Sequence, residues 1–515
     1  MMDRRTVLLS GLGLAATGSL GLTACKPSDA PTMAGSGAAA AAGKSGQTSL
    51  TLGMVLEPPG LDPTTGAASA IGEITLYSLY ETLTKIGPNG KVGPLLAESW
   101  EHTPDLLRWT FRLRQGVKFH NGEAFSSDTV KFAFGRAAAS DSTNKDKRLF
   151  SSFTGIDTPD AHTVVLTVSE PNPDLPFLLG QATAIMVEPK SAASNGIHPV
   201  GTGPYLVDNW RTGASLMLKA WPDYRDAGNI ALKQVTFRFI SDTAAQTAAL
   251  LSGDVDLFPR VQVARSLDQF RNNPRFQVLV GGSRAKTILA MNHARKPLGD
   301  VRVRRAISAA IDRQAVVTGA ADGFGVPIGS YYVPGAPGYV DTTSINSYDP
   351  ERAKALLKEA GIDKLTLTIK LPPPPYARQG GEVIAAMLAK VGITARLENI
   401  EWAQWLSNVY GGSQDYDMTI ISHVEPFDLD NLAKPDYYWH YDSPQFQELY
   451  TRITRTADEI ERNRLLGEAQ QLAATDAVSA YLYQPQWITV ARSGIQGLWQ
   501  DMPVFVNDLS AIRFQ

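Results

Sequence analysis

The most chemically dense stretch of this sequence is Ser422-His423-Val424-Glu425-Pro426-Phe427-Asp428-Leu429-Asp430. It sets an imidazole among carboxylates, groups that serve metal binding and proton transfer. No further Cys or His stands beside it, and His102, His120, His162, His198, His293 and His440 are scattered along the chain. No two histidines have the HxxxH spacing of a helical zinc motif, and no GxSxG nucleophile elbow occurs. Gly281-Gly282-Ser283-Arg284-Ala285-Lys286-Thr287 has the outline of a phosphate loop but lacks the glycine immediately before the lysine. Gly11-Leu12-Gly13-Leu14-Ala15-Ala16 fits GxGxxA, yet no βαβ unit surrounds it, so it carries no dinucleotide reading. With 51 Asp and Glu residues, some close carboxylate pair is inevitable and is no sign of a catalytic dyad. The chemistry that remains is binding, not catalysis, and no cofactor or metal site is expected.

The elements that must hold these residues read as mixed α/β. β-rich runs recur at 50–54, 109–113, 163–168, 234–240, 276–280, 365–371 and 418–421, with helical patterns between them. Residues 109–114 alternate Trp, Phe and Leu with Thr and Arg, the period of a half-buried strand. Asp349-Pro350 opens a helix whose apolar face is Ala353, Leu356, Leu357 and Ala360, with Gly361 to stop it. Ser443-Pro444 opens another in the same way, and 301–317 reads as one helix. The proline run 372–375 predicts a rigid extended loop. Asn121-Gly122 is a tight-turn pair, and Gly201 and Gly203 suit unusual backbone dihedrals.

The whole chain has 515 residues, enough for about three lobes at roughly 150 residues each. Its 43% hydrophobic and 19% charged composition is that of a globular protein, and a net charge of −3 gives no basic field for nucleic acid. One cysteine excludes an internal disulfide. Arg4 and Arg5, then a modest apolar run ending Leu22-Thr23-Ala24-Cys25, have the layout of an export signal. The end of that run is similar to a bacterial lipoprotein box, in which cleavage precedes a cysteine that carries lipid. Asp3-Arg4-Arg5-Thr6 is similar, in part, to a twin-arginine signal. Residues 27–47 turn to Ala, Gly, Ser and Thr, which predicts a flexible tether.

Four blocks in order resemble the family 5 solute-binding proteins of bacterial ABC importers, those for oligopeptides, dipeptides and nickel. They are Leu96-Ala97-Glu98-Ser99-Trp100 leading to Trp109-Thr110-Phe111-Arg112-Leu113-Arg114-Gln115-Gly116-Val117-Lys118-Phe119; Val200-Gly201-Thr202-Gly203-Pro204-Tyr205; Ala249-Leu250-Leu251-Ser252-Gly253-Asp254-Val255-Asp256; and Pro297-Leu298-Gly299-Asp300-Val301-Arg302-Val303-Arg304-Arg305-Ala306-Ile307. Together they span nearly the whole chain from residue 50. The resemblance implies a two-lobed clamp: a leader over 1–24, a tether over 25–48, lobe I over 49–82, 184–289 and 497–515, an inserted subdomain over 83–183, and lobe II over 290–496. Crossing strands near 288–292 and 487–491 would form the hinge.

The function so implied is capture of a peptide, or a peptide-like amine-bearing solute, by a monomeric lipid-anchored protein of the periplasm or cell surface, and delivery to an ABC permease. A nickel chelate, glutathione, an opine-like conjugate, an oligosaccharide, a secreted hydrolase and a sensory module stay open. The candidate ligand-binding residues are Trp402, Ser422, His423, Glu425, Phe427, Asp428 and Tyr483, with Trp405 and Tyr481 beside them. Trp402 matches a ligand-facing tryptophan of the family. Peptide-binding relatives carry an aspartate for the α-ammonium after the strand that ends at Ile421; here Pro426 stands in its place. Glu425 and Asp428 flank that proline, so one of them is expected to supply the charge.

Overall fold

A computed structural model describes residues 46–515. The leader, Cys25, the GxGxxA segment and all but the end of the tether lie outside the described residues.

Period-two burial builds the first lobe. Strand Ser49–Met54 pairs in parallel with Gln234–Phe239, aligning Leu50 with Val235 and Leu52 with Phe237, all buried. Ser215–Ala220 and Tyr205–Arg211 extend this sheet antiparallel. Arg108–Leu113 buries Trp109, Phe111 and Leu113 and turns Arg108 and Arg112 outward, as the alternation requires. It lies in a separate four-stranded sheet with Ala97–His102, Thr163–Val168 and Phe153–Asp160. Trp109 and Phe111 join one continuous apolar core with Leu52, Phe237 and Leu509, so the inserted sheet shares its core with the first lobe.

The second lobe has its own core of Leu289, Ile307, Ile369, Ile384 and Ile420. Its sheet runs Ile393–Asn399, Leu365–Leu371, Met418–His423 and Lys286–Met291. The strand Ser479–Arg492 belongs to both sheets. Its first half pairs with Lys286–Met291, and its second with Phe276–Gly282. The two crossings therefore fall at 282–287 and 483–486, a few residues before the hinge positions read from the resemblance.

Three local expectations are corrected. Residues 301–317 are not one helix: Val301–Ala309 ends, and Arg313–Ala320 begins behind Asp312, whose carboxylate accepts from Gln314 N at 3.0 Å and Ala315 N at 3.1 Å. A capping aspartate competes with helix continuation. The proline run is extended only as far as Pro374; Pro375 opens the helix Pro375–Ala389, where its missing N–H costs nothing. Gly201 and Gly203 do not have positive φ. They are needed for close approach, since a Cβ would lie 2.0 Å from Leu79 O and 2.4 Å from Ser78 O respectively.

Candidate functional site

Strand register brings the dense stretch against Lys286. In the antiparallel pair of Lys286–Met291 with Met418–His423, Lys286 stands opposite His423 and Thr287 opposite Ser422. The chain then turns through Phe427, which has φ of 56°, into the short helix Asp428–Ala433. That turn brings Asp428 back to Lys286, whose ammonium donates to the Asp428 carboxylate and to Glu425 O at 2.6 Å. Tyr331 OH donates to Asp428 Oδ2 at 3.0 Å. All three side chains are buried. Burial pushes the Asp428 carboxyl up to about 6, against the pull of Lys286.

His423 is also buried, with Nε2 2.9 Å from Tyr438 OH. Burial, then the Lys286 charge, push its imidazole down to about 3, so it is neutral at pH 7. His423, Glu425 and Asp428 each offer a ligand atom within 4.8 Å of the others, a spacing that could suit a cation. The Lys286 ammonium already fills the positive role in that group.

A cavity of about 200 Å³ lies between the lobes. Its walls include Ser69 and Phe505 from the first lobe, Gln181 from the insertion, Arg284 from the crossing segment, and Glu425 and Pro426 from the second lobe. Glu425 is exposed, its Oε2 accepting only from Val424 N at 3.1 Å among the described residues.

Solved structures with this fold are two-lobed binding proteins. Residues 91–440 match the model of "Bacterial extracellular solute-binding proteins, family 5 Middle". The chain belongs to this family. Family 5 is a family of binding proteins. The chain is 26% identical over 461 residues to the glutathione-binding protein of Salmonella typhi, covering 85% of this chain and 89% of that one. It is 26% identical over 482 residues to di/tripeptide-binding protein 1 of Pseudomonas aeruginosa, covering 84% and 89%. Among solved structures, the PBP AgaA of A. tumefaciens R10 in complex with agropinic acid aligns at TM-score 0.74 and 28% identity, over 91% of this chain and 99% of that one.

Within this family 5 fold, the residues singled out from sequence separate into distinct places. Of the seven, only Glu425 lines the interlobe cavity. Trp402 is 42% exposed and packs edge-on to Trp405 at 5.8 Å, away from that cavity. Trp405 is buried and donates from Nε1 to Thr419 Oγ1 at 3.0 Å, a framework role. Tyr481 and Tyr483 are buried in the second lobe. Ser422 is half-buried, bonded through its N to Tyr376 OH at 3.3 Å. Phe427 packs edge-on against Phe177 of the insertion at 4.8 Å, so it bridges the lobes.

Sequence reasoning missed Lys286 and Arg284. Both stand in the segment that looked like a defective phosphate loop. The usable signal there was a pair of cations two residues apart between two predicted strands, Arg284 on the connecting bend and Lys286 opening the second strand.

Proposed function

We propose that this protein captures a small peptide or peptide-like solute with a free amine between its lobes and passes it to an ABC permease, without enzymatic turnover. The observation that supports this most is the state of the two carboxylates flanking Pro426. Asp428 is neutralised inside the second lobe by Lys286, whereas Glu425 faces the interlobe cavity with its charge unpaired among the described residues. An ammonium enclosed on closure requires such a partner, because an unpaired buried charge is strongly unfavourable. A cavity of about 200 Å³ suits a ligand below the roughly 300–1,000 Å³ class of drug-sized sites. The relatives named for glutathione and for di- and tripeptides agree with a solute of that size.

The same reading has the mature protein begin at Cys25, carry lipid there and act as a monomer, after export through a twin-arginine or general secretory route. Among the described residues no helix is long and apolar enough to cross a membrane. Mass spectrometry of the mature N-terminus tests the anchor; a start elsewhere than Cys25 refutes it. Calorimetry with di- and tripeptides and their N-acetyl forms tests the amine reading. Glu425→Gln should abolish the preference for the free amine, and equal binding of free and acetylated peptides to the wild-type protein would sink it.

A further inference from the structure

Arg284 is the outlier among the buried cations. Its residue is 8% exposed, yet among the described residues it has no hydrogen-bond or ion-pair partner. Arg304, exposed to 5%, shows how this protein otherwise buries a guanidinium: it donates to the carbonyls of Leu298, Gly299, Asp476 and Ala477. Burial alone holds the Arg284 guanidinium below its usual range, with Tyr332 and Asp501 the nearest groups pulling it back. Asp501 is not within ion-pair reach; its Oδ1 accepts from Gly282 N at 2.8 Å.

The surroundings hold the backbone and leave the guanidinium free. Ala285 N donates to Ser283 Oγ at 3.1 Å, Gln484 Nε2 to Ser283 O at 2.6 Å, and Met502 N to Gly282 O at 2.8 Å. Arg284 thus stands on a fixed segment at the crossing between the lobes, on the wall shared by the 200 Å³ cavity and a neighbouring one of about 280 Å³. Nη2 lies 2.5 Å from where a Cβ on Gly90 would be, so a glycine at that turn is what makes room for it. A guanidinium on a cavity wall without a protein partner is free to meet a ligand, and it matches a planar oxyanion through paired N–H donors.

We infer that Arg284 is the residue that reads an oxyanion group, a carboxylate first, of the solute held between the lobes. This rests on the interlobe cavity being the solute site. Together with Glu425 on the opposite lobe it makes the preferred solute zwitterionic, with its acid end at the hinge. Closing on such a ligand gives Arg284 the partner that the described residues do not.

The full chain is melted in sodium acetate and in sodium chloride at equal ionic strength, as wild type, Arg284→Gln and Arg284→Lys. Acetate should raise the wild-type melting temperature above the chloride value. Arg284→Gln should abolish that difference and keep a melting temperature in chloride near that of wild type, because the guanidinium makes no bond to the described residues. Arg284→Lys should keep part of the response. In parallel, a mixture of dipeptides competes in equilibrium dialysis with its C-terminal amides and its N-acetyl forms. The wild type should reject amides by about tenfold to a hundredfold, the usual worth of a charge-assisted hydrogen bond. Arg284→Gln should lose that discrimination and keep the one against N-acetylation, which Glu425→Gln loses instead. Equal acetate responses in wild type and Arg284→Gln, or amides bound as well as acids by the wild type, overturn the inference. Failure of every dipeptide to bind sinks the peptide reading alone, and the acetate comparison then decides for Arg284.

Discussion

Asp428 carries a carboxylate into a place almost closed to water, and the Lys286 ammonium and Tyr331 hydroxyl meet it there. Breaking such a pair from one side strands the other charge, so Asp428→Asn should cost about 3–5 kcal/mol of stability. Glu425→Gln, at an exposed position, should stay within about 0.5 kcal/mol of wild type. Urea unfolding of both variants checks the contrast, and equal midpoints would refute it. Three histidines shape the pH response, His423 buried and His120 and His293 half-buried. Burial pushes His120 down to about 4, and His293 and His423 down to about 3, from an ordinary value of 6.5. Between about 3 and 6.5 the unfolded chain therefore holds more protons than the folded one. Stability is complete above the unfolded value and falls with acidification, by up to about 1.4 kcal/mol per pH unit for each histidine. Asp174 and Asp428, whose carboxyls burial raises, work in the opposite sense. Replacing His293, whose ring bonds Val478 O at 2.9 Å far from Glu425 in the chain, with Gln should flatten the fall in melting temperature between pH 6 and 4. An unchanged slope would remove His293 from the account.

At the scale of elements, caps and strands were legible because each is a local decision. Runs 163–168 and 365–371 are the strands Thr163–Val168 and Leu365–Leu371, and Asp349 accepts from Arg352 N at 2.9 Å at the head of Pro350–Glu359. The apolar period across 301–317 hid a break, because Asp312 can sit on the polar side of one helix as easily as cap a second. Asp312→Ala should cost about 1 kcal/mol, as loss of an N-cap does. It should not fuse the two helices, since Asp349 N already donates to Ala309 O at 2.8 Å and holds the first helix's end. Chemical denaturation measures the cost, and a stabilised variant would contradict it.

Over the whole molecule, side chains of the two lobes meet outside the crossing strands as well, as where Arg265 pairs with Asp322 at 3.5 Å and Arg271 lies over Phe324. Arg462 of the second lobe pairs with Asp174 of the insertion at 2.7 Å, and Phe427 lies on Phe177. These contacts join the second lobe to the insertion, so they favour a closed clamp over an open one. Arg462→Ala with Phe427→Ala should enlarge the radius of gyration in small-angle scattering. It should also weaken solute binding by about tenfold, through a smaller binding-competent fraction. An unchanged scattering profile with unchanged affinity would show that neither contact holds the lobes together.

The sequence by itself determined the family, the alternating strands and the capped helices, since these are written in residue type and short spacing. It also singled out the segment around Pro426, because a departure from the family's pattern is visible without coordinates. What it could not decide was which of Glu425 and Asp428 is already paired inside the protein. That depends on Lys286, 142 residues away from Asp428 in the chain and brought beside it only by sheet register. It likewise left Arg284 unread inside a failed motif, because an unpaired guanidinium is recognised only when every surrounding group is in place. Spacing along the chain reports which groups exist; three-dimensional packing alone settles which of them are already satisfied and which still face the cleft.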